Sequence, residues 1–385
     1  METNTSSSGP IRPNDEFRPN SEVQLSNSES LISQRQRRAS LLISQHYEPL
    51  ITEILSEELL KYTHSTAIDP TDVVRHKRDC ALIIASASPI FTAAVTGNLV
   101  ARMLTDPYLQ NEYAALSAQA HHQPSIYAHF LTDKFGIAPT PTQYLTISNT
   151  ITSYLSADQP SPHAWAIDNV TSPPVTLQSS STGHRKYLQT RSSTRSSQRI
   201  NTLSRFCAAA RTRFVQTPAA LHDTPFTFPP AECGYSYDSH TRIAQHRARR
   251  GSNYIMNLVE DTCAYLHQCG TFTQLFVMHP FIIFLLFRAR QAVMAEILCS
   301  GLLQVWVDGG GGFNAWPAGR SVSSATRVRR EDWRGFERCV VRGSEIVETL
   351  RAQKQRAEEW WRALDSEEVC VEEMEEDDDA EDGDM

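Results

Sequence analysis

Long apolar runs are missing from this chain. The longest covers residues 281–287, between Pro280 and Arg288, where a membrane-spanning helix needs ~20 residues. Such a short run reads as a buried strand, and no membrane partner is expected. No apolar leader precedes the first helical pattern. The eight cysteines are scattered, without the spacing of a disulfide framework. Free, mostly buried thiols in a reducing compartment are therefore expected, which places the protein inside the cell, nuclear or cytoplasmic. Residues 40–155 contain no phosphate loop, and the chain has no internal repeats.

Charge of one sign is missing from two long stretches. Residues 365–385 carry thirteen acidic side chains and no basic one, while residues 169–216 contain no acid at all. The formal net charge of −8 therefore conceals a remainder of +5 once the tail is set aside. Between Arg185 and Arg250, twelve Lys/Arg stand against Asp223, Glu232 and Asp238. This polarity points to DNA or RNA as partner, or to protein partners of the acidic tail.

The patterning predicts an α+β fold in several parts. Residues 1–37 are rich in Ser, Asn and Pro and read as disordered. Residues 38–160 read as a helical module: Leu50, Ile51, Ile54, Leu55 and Leu59 form an amphipathic stripe, and Thr140-Pro141-Thr142-Gln143 has the form of a capping box. Residues 161–224 read as a basic Ser/Arg-rich linker ending in a short helix with Arg205, Arg211, Arg213, Phe206 and Phe214. Residues 225–320 read as a small α/β domain with a short antiparallel sheet. It contains a strand over 231–237, helices capped by Asp238 or Ser239 and by Ser252, strand-like runs at 272–278 and 281–287, an apolar helix over 289–307 and a Gly-rich loop at 309–312. A long C-terminal helix over 330–364 and a disordered acidic tail over 365–385 follow.

The candidate chemistry lies in the α/β domain. Gly234 ends the strand, Arg242 comes eight residues later, and His246 four after that, so Arg and His share one helix face. Glu296 is a lone carboxylate on an otherwise apolar helix and needs a cation or hydrogen bonds. A metal ion would satisfy it, and so would an ion pair with Arg242. Cys263, His267 and Cys269 are possible zinc ligands without an evident fourth, and read better as buried thiols; zinc is not expected. His121, His122 and His129 read as surface or core histidines.

Gly234, Arg242, His246, Glu296 and Asn314, in that order, resemble a degenerate GIY-YIG nuclease module spanning roughly residues 232–320. The resemblance implies an Arg at the scissile phosphate, a Glu holding magnesium or manganese, and metal-assisted phosphodiester hydrolysis. It assigns Arg242, His246, Tyr235 and Tyr237 to catalysis and Glu296 to the metal. Arg247, Arg249, Arg250 and Asn314 would contact nucleic acid. The family's first motif carries the general-base Tyr. Residues 224–230, where it is expected, contain no Tyr, which leaves Tyr235 or Tyr237 as base and implies weak or absent cleavage. Residues 252–258, 310–314 and 317–321 also resemble a group of fungal proteins of unknown function. The alternative is a non-enzymatic scaffold that binds partners through the helical module and the tail.

Overall fold

The structure is a computed structural model that describes residues 30–63, 68–156, 162–190, 194–318, 322–343, 345–356 and 358–359. The expectations for residues 1–29 and 365–385 lie outside the described residues. Helix α1 (Leu31–Ile43) opens the described chain, capped by the Ser30 hydroxyl. It begins inside the stretch read as disordered, because Leu42 and the stems of Arg35 and Arg38 are buried against the core. Then come α2 (Tyr47–Glu58), α3 (Val73–Ala85), α4 (Pro89–Val95), α5 (Leu99–Thr105) and α6 (Pro107–Gln119).

Strand β1 (Ser125–Thr132) follows, within the segment read as wholly helical. All eight of its residues are buried. A strand covered on both faces shows no polar–apolar alternation, and this hides it in the sequence. Helix α7 (Pro141–Leu155) starts at the expected capping box, with Thr140 and Gln143 each bonding the other's backbone N–H. The segment read as a linker folds into α8 (Pro162–Asp168), α9 (Leu177–Ser181) and the long α10 (Ser197–Gln216). Strand β2 (Ala231–Ser236), α11 (Ser239–Arg247), α12 (Tyr254–Gln268), β3 (Val277–Leu285), α13 (Gln291–Leu303) and α14 (Arg330–Gly343) complete the order. Of the two strand-like runs only the end of the first and most of the second form strand β3, which carries Pro280 opposite His129, while residues 272–276 precede it without strand structure. The long C-terminal helix is interrupted: residues 346–356 are helical again after α14, and residues 360–364 lie outside the described set.

The α+β class holds, with one small antiparallel sheet ordered β2–β1–β3. Its central strand comes from residues 125–132, so the boundary expected between a helical module and an α/β domain does not exist. One apolar core packs α1–α4 and α13 on the sheet, and a second gathers α7, α10 and α12 around Phe206, Phe276 and Phe313. Among the described residues no single helix is long and apolar enough to cross a membrane.

Candidate active site

Side-chain alternation along the strands puts Tyr127 and His129 of β1 on one face with Glu232 and Gly234 of β2. The register pairs Tyr127 with Gly234 and His129 with Glu232. Gly234 is required by this packing: a β-carbon there would lie 2.7 Å from the Tyr127 hydroxyl and 2.9 Å from the ring carbon that bears it. The tyrosine ring lies across the place where a side chain would stand.

Helix α11 covers this face. The Asp238 carboxylate accepts from the Thr241 N–H and starts the helix just beyond β2. Arg242 and His246, one turn apart, then both turn toward Tyr127. Arg242 Nε donates to the Tyr127 hydroxyl at 3.4 Å, and His246 Nε2 lies 3.4 Å from the same oxygen. The guanidinium also donates to the Gly251 carbonyl at 3.1 Å. Among the described residues its partners are Tyr127, Gln245 and Gly251 rather than Glu296. The alternative of an Arg242–Glu296 ion pair therefore fails.

Behind Tyr127 the polar groups continue. His129 Nδ1 lies 2.8 Å from the Glu232 carboxylate, and the rings of His129 and His246 are 4.8 Å apart. Burial opposes the charge on Glu232, but the His129 hydrogen bond and charge outweigh it and hold the carboxyl below its ordinary range. Burial pushes His246 down to about 4, with Glu232 opposing the shift and His129 and Arg242 adding to it, so the imidazole is neutral near pH 7. Burial raises Tyr127 far above the usual phenol value, and Glu232 adds to this. His246 Nδ1 and His129 Nε2 have no hydrogen-bond partner among the described residues. Both side chains line a second cavity of about 390 Å³, bordered also by Arg247 and Glu260.

A cleft of about 530 Å³ opens on the other side of Tyr127. Arg242, Glu232, Tyr235, Tyr237, Glu296 and Asn314 line it together. The sequence thus pointed to five residues that the fold gathers, and His246 touches the cleft through Tyr127. Glu296 is 8% exposed on α13.

The glycine-rich loop explains Asn314. Gly312 lies so close to β2 that a β-carbon would fall 2.0 Å from the Ala231 carbonyl oxygen. This approach lets Phe313 N–H donate to Ala231 O and brings the Asn314 amide onto Cys233. That amide donates to the Cys233 carbonyl at 2.8 Å and accepts from its N–H at 3.2 Å. Both ends of the amide are thereby engaged on β2, so Asn314 fixes the strand while lining the cleft.

Other assignments change as well. Tyr235 lines the cleft, but its hydroxyl meets Ser324 at 3.5 Å, and Tyr237 stands at the rim, 45% exposed. Neither is the tyrosine that meets Arg242 and His246. Arg249 is bound to Glu260 at 2.9 Å and Asp261 at 2.8 Å and braces α11 on α12; it is not available to a phosphate. Arg247 and Arg250 are exposed. In the supposed linker, Arg213 is buried over Phe226 and donates to Gly310 O, and Arg205 pairs with Asp308, so these arginines hold the fold. Cys269, expected to be buried, is exposed.

Tyr127, His129 and Glu232 do not stand out in the sequence as site residues. The signal for the first two is present in Ser125-Ile126-Tyr127-Ala128-His129-Phe130, where β-branched and aromatic residues cluster inside a helix-rich region. Compared with known proteins, the chain matches no family model, curated protein or solved structure.

Proposed function

We propose that the cleft is a GIY-YIG-like phosphodiesterase site acting on nucleic acid. The observation that carries this reading is the meeting of Arg242 and His246 on the Tyr127 hydroxyl, opposite Gly234, in a cleft shared with Glu296. The first motif, missing just upstream of Ala231, is supplied from β1: Ser125-Ile126-Tyr127 is similar to it, with Ser in place of Gly. Glu232-Cys233-Gly234 takes the place of the second. Helices α7 to α10 lie between the two.

Arg242, with part of its fork facing the cleft, suits a phosphate oxygen. Tyr127 is the acid–base group. As water attacks phosphorus and the P–O bond to the leaving strand end breaks, the Tyr127 oxygen takes the water's proton and passes its own to the neutral His246 Nε2, and the leaving alkoxide takes a proton from solvent. A resident phenolate is not needed, which agrees with the raised pKa of Tyr127. The charge on Glu232 favours the imidazolium so formed. Glu296 is the residue that would hold a divalent ion. One carboxylate in a phosphate-binding cleft fits magnesium or manganese, which usually take one or two protein carboxylates plus substrate phosphates. When bound, the ion supplies charge stabilisation on the phosphate.

The second reading is a site that binds nucleic acid without cutting it. The burial of Tyr127 favours it, because the proton transfer must work against that burial. Nicking of supercoiled DNA with magnesium or manganese, compared between the native protein and Tyr127→Phe, separates the two.

A further inference from the structure

Helix α14 carries Arg330, Arg334, Arg338 and Arg342, each four residues after the last and all exposed. In an α-helix that interval rises ~6 Å and turns by only ~40° past a full turn. The four guanidiniums therefore form one slowly curving stripe ~18 Å long. The opposite face is anchored in the core by Trp333, Phe336 and Val340, so the stripe must point outward. Its acids are largely occupied elsewhere: Glu337 is paired with Arg288 and Asp332 with Arg329. Exposed Glu331 is the single acid within the stripe. Arg330, Arg334 and Arg342 form no ion pair among the described residues, and Arg338 donates to the Arg334 carbonyl. A surface helix that kept its arginines for internal pairing would not leave them in a row.

The stripe starts beside the cleft. A 3₁₀ turn over Val322–Arg327 joins the two, and its Ser324 lines the cleft against Tyr235. Arg330 lies six residues beyond Ser324, within ~17 Å, since the steps to Arg327 rise by ~2 Å each and the three beyond it by at most ~3.6 Å. Arg327, also exposed, stands between them.

We propose that α14 is a backbone-binding track for double-stranded nucleic acid, extending the footprint beyond the cleft without reading sequence. The proposal rests on the nucleic-acid reading of the cleft for its direction, but the charge row is tested separately. Closely spaced guanidiniums suit phosphate contacts, which release counterions and make binding steeply salt-dependent.

The test uses the full-length protein with Arg330, Arg334, Arg338 and Arg342 all changed to Gln. Fluorescence anisotropy measures binding of a short DNA duplex between about 50 and 200 mM salt. Expected are a loss of roughly tenfold or more at the lower salt and a log–log salt slope shallower by ~0.9 for each phosphate contact removed. The matching Lys variant should keep the slope, because it keeps the charge. An unchanged slope in the Gln variant would overturn the proposal. So would equal losses in the Gln and Lys variants, which would mark a structural role. Capture of phosphatidylserine vesicles abolished by the Gln changes, with duplex binding intact, would assign the stripe to lipid and overturn it too. Failure of the cleft reading gives a different pattern: no nicking and no effect of Arg242→Ala on binding, with the α14 slope change still present.

Discussion

Tyr127 and Gly234 face each other across β1 and β2, and the glycine leaves the space that the tyrosine hydroxyl fills. Gly234→Ala puts a methyl group 2.7 Å from that hydroxyl and 2.9 Å from the ring carbon that bears it, so the buried Tyr127 ring must shift. The variant should lose ~1–3 kcal/mol of stability, as overpacked cores do. Its nicking activity should fall further than stability alone accounts for, because Tyr127 is pushed off Arg242 and His246. Thermal denaturation read beside plasmid nicking at a temperature where both proteins are folded checks this.

Two tyrosines of the same cleft should behave differently. Tyr127→Phe keeps the ring and removes the oxygen that meets Arg242 and His246; it should lower nicking by ~10²–10⁴-fold, the usual size of acid–base catalysis. Tyr235→Phe removes a hydroxyl that touches only Ser324 among the described residues and should leave the rate within a few-fold. Single-turnover rates for both variants decide it; equal effects would take the acid–base role away from Tyr127.

His246 gives a pH signature. Its imidazole is held down to about 4 in the folded protein, against an ordinary value near 6.5. The unfolded chain therefore binds a proton between those values that the folded chain does not. The stability tied to neutral His246 is complete above pH ~6.5 and is lost as pH falls toward ~4. The loss is on the order of 3 kcal/mol, since each tenfold change in proton affinity is worth ~1.4 kcal/mol. Glu232, held low, adds a loss in the same direction below its own ordinary range. Denaturant melts across this window should show a shallower pH slope in His246→Gln.

Arg249 and Arg242 stand seven residues apart and should separate structure from binding. Arg249→Met keeps the stem but strands Asp261, 1% exposed, without its cation. It should cost roughly 3 kcal/mol in stability, as removal of one partner from a buried pair does. Duplex affinity, measured where the variant is folded, should hardly change. Arg242→Ala should weaken duplex binding and abolish nicking with a smaller stability loss, since its contacts are two long hydrogen bonds and one to Gly251.

Much of the site could be read from local spacing. Asp238, Arg242 and His246 lie on one helix, and a helix converts sequence interval into direction. The capping box at Thr140 and the glycine run at 309–312 were legible for the same reason. Strand β1 was not. Being buried on both faces, Ser125–Thr132 has no alternation, and its partners β2 and β3 lie about a hundred residues or more away. Tyr127 is thus hidden in the sequence although it completes the constellation. The supposed linker misled through composition: its arginines are solvated in sequence logic, but Arg213 is paired with carbonyls and an aromatic ring in the core. Such pairing over long sequence distances leaves no local trace. Asn314 lines the cleft as expected from its place after α13, and the bonds of its amide to β2 left no trace in the sequence.

The central claim is that Tyr127, Arg242 and Glu296 form one metal-dependent phosphodiesterase site. The most direct test is nicking of supercoiled plasmid by the full-length protein with magnesium or manganese, repeated with Glu296→Gln, Arg242→Ala and Tyr127→Phe. The account predicts metal-dependent nicking that each substitution reduces by at least ~10²-fold while the proteins remain folded. Nicking that persists undiminished in Glu296→Gln, or its complete absence from the native protein with both metals, would contradict it.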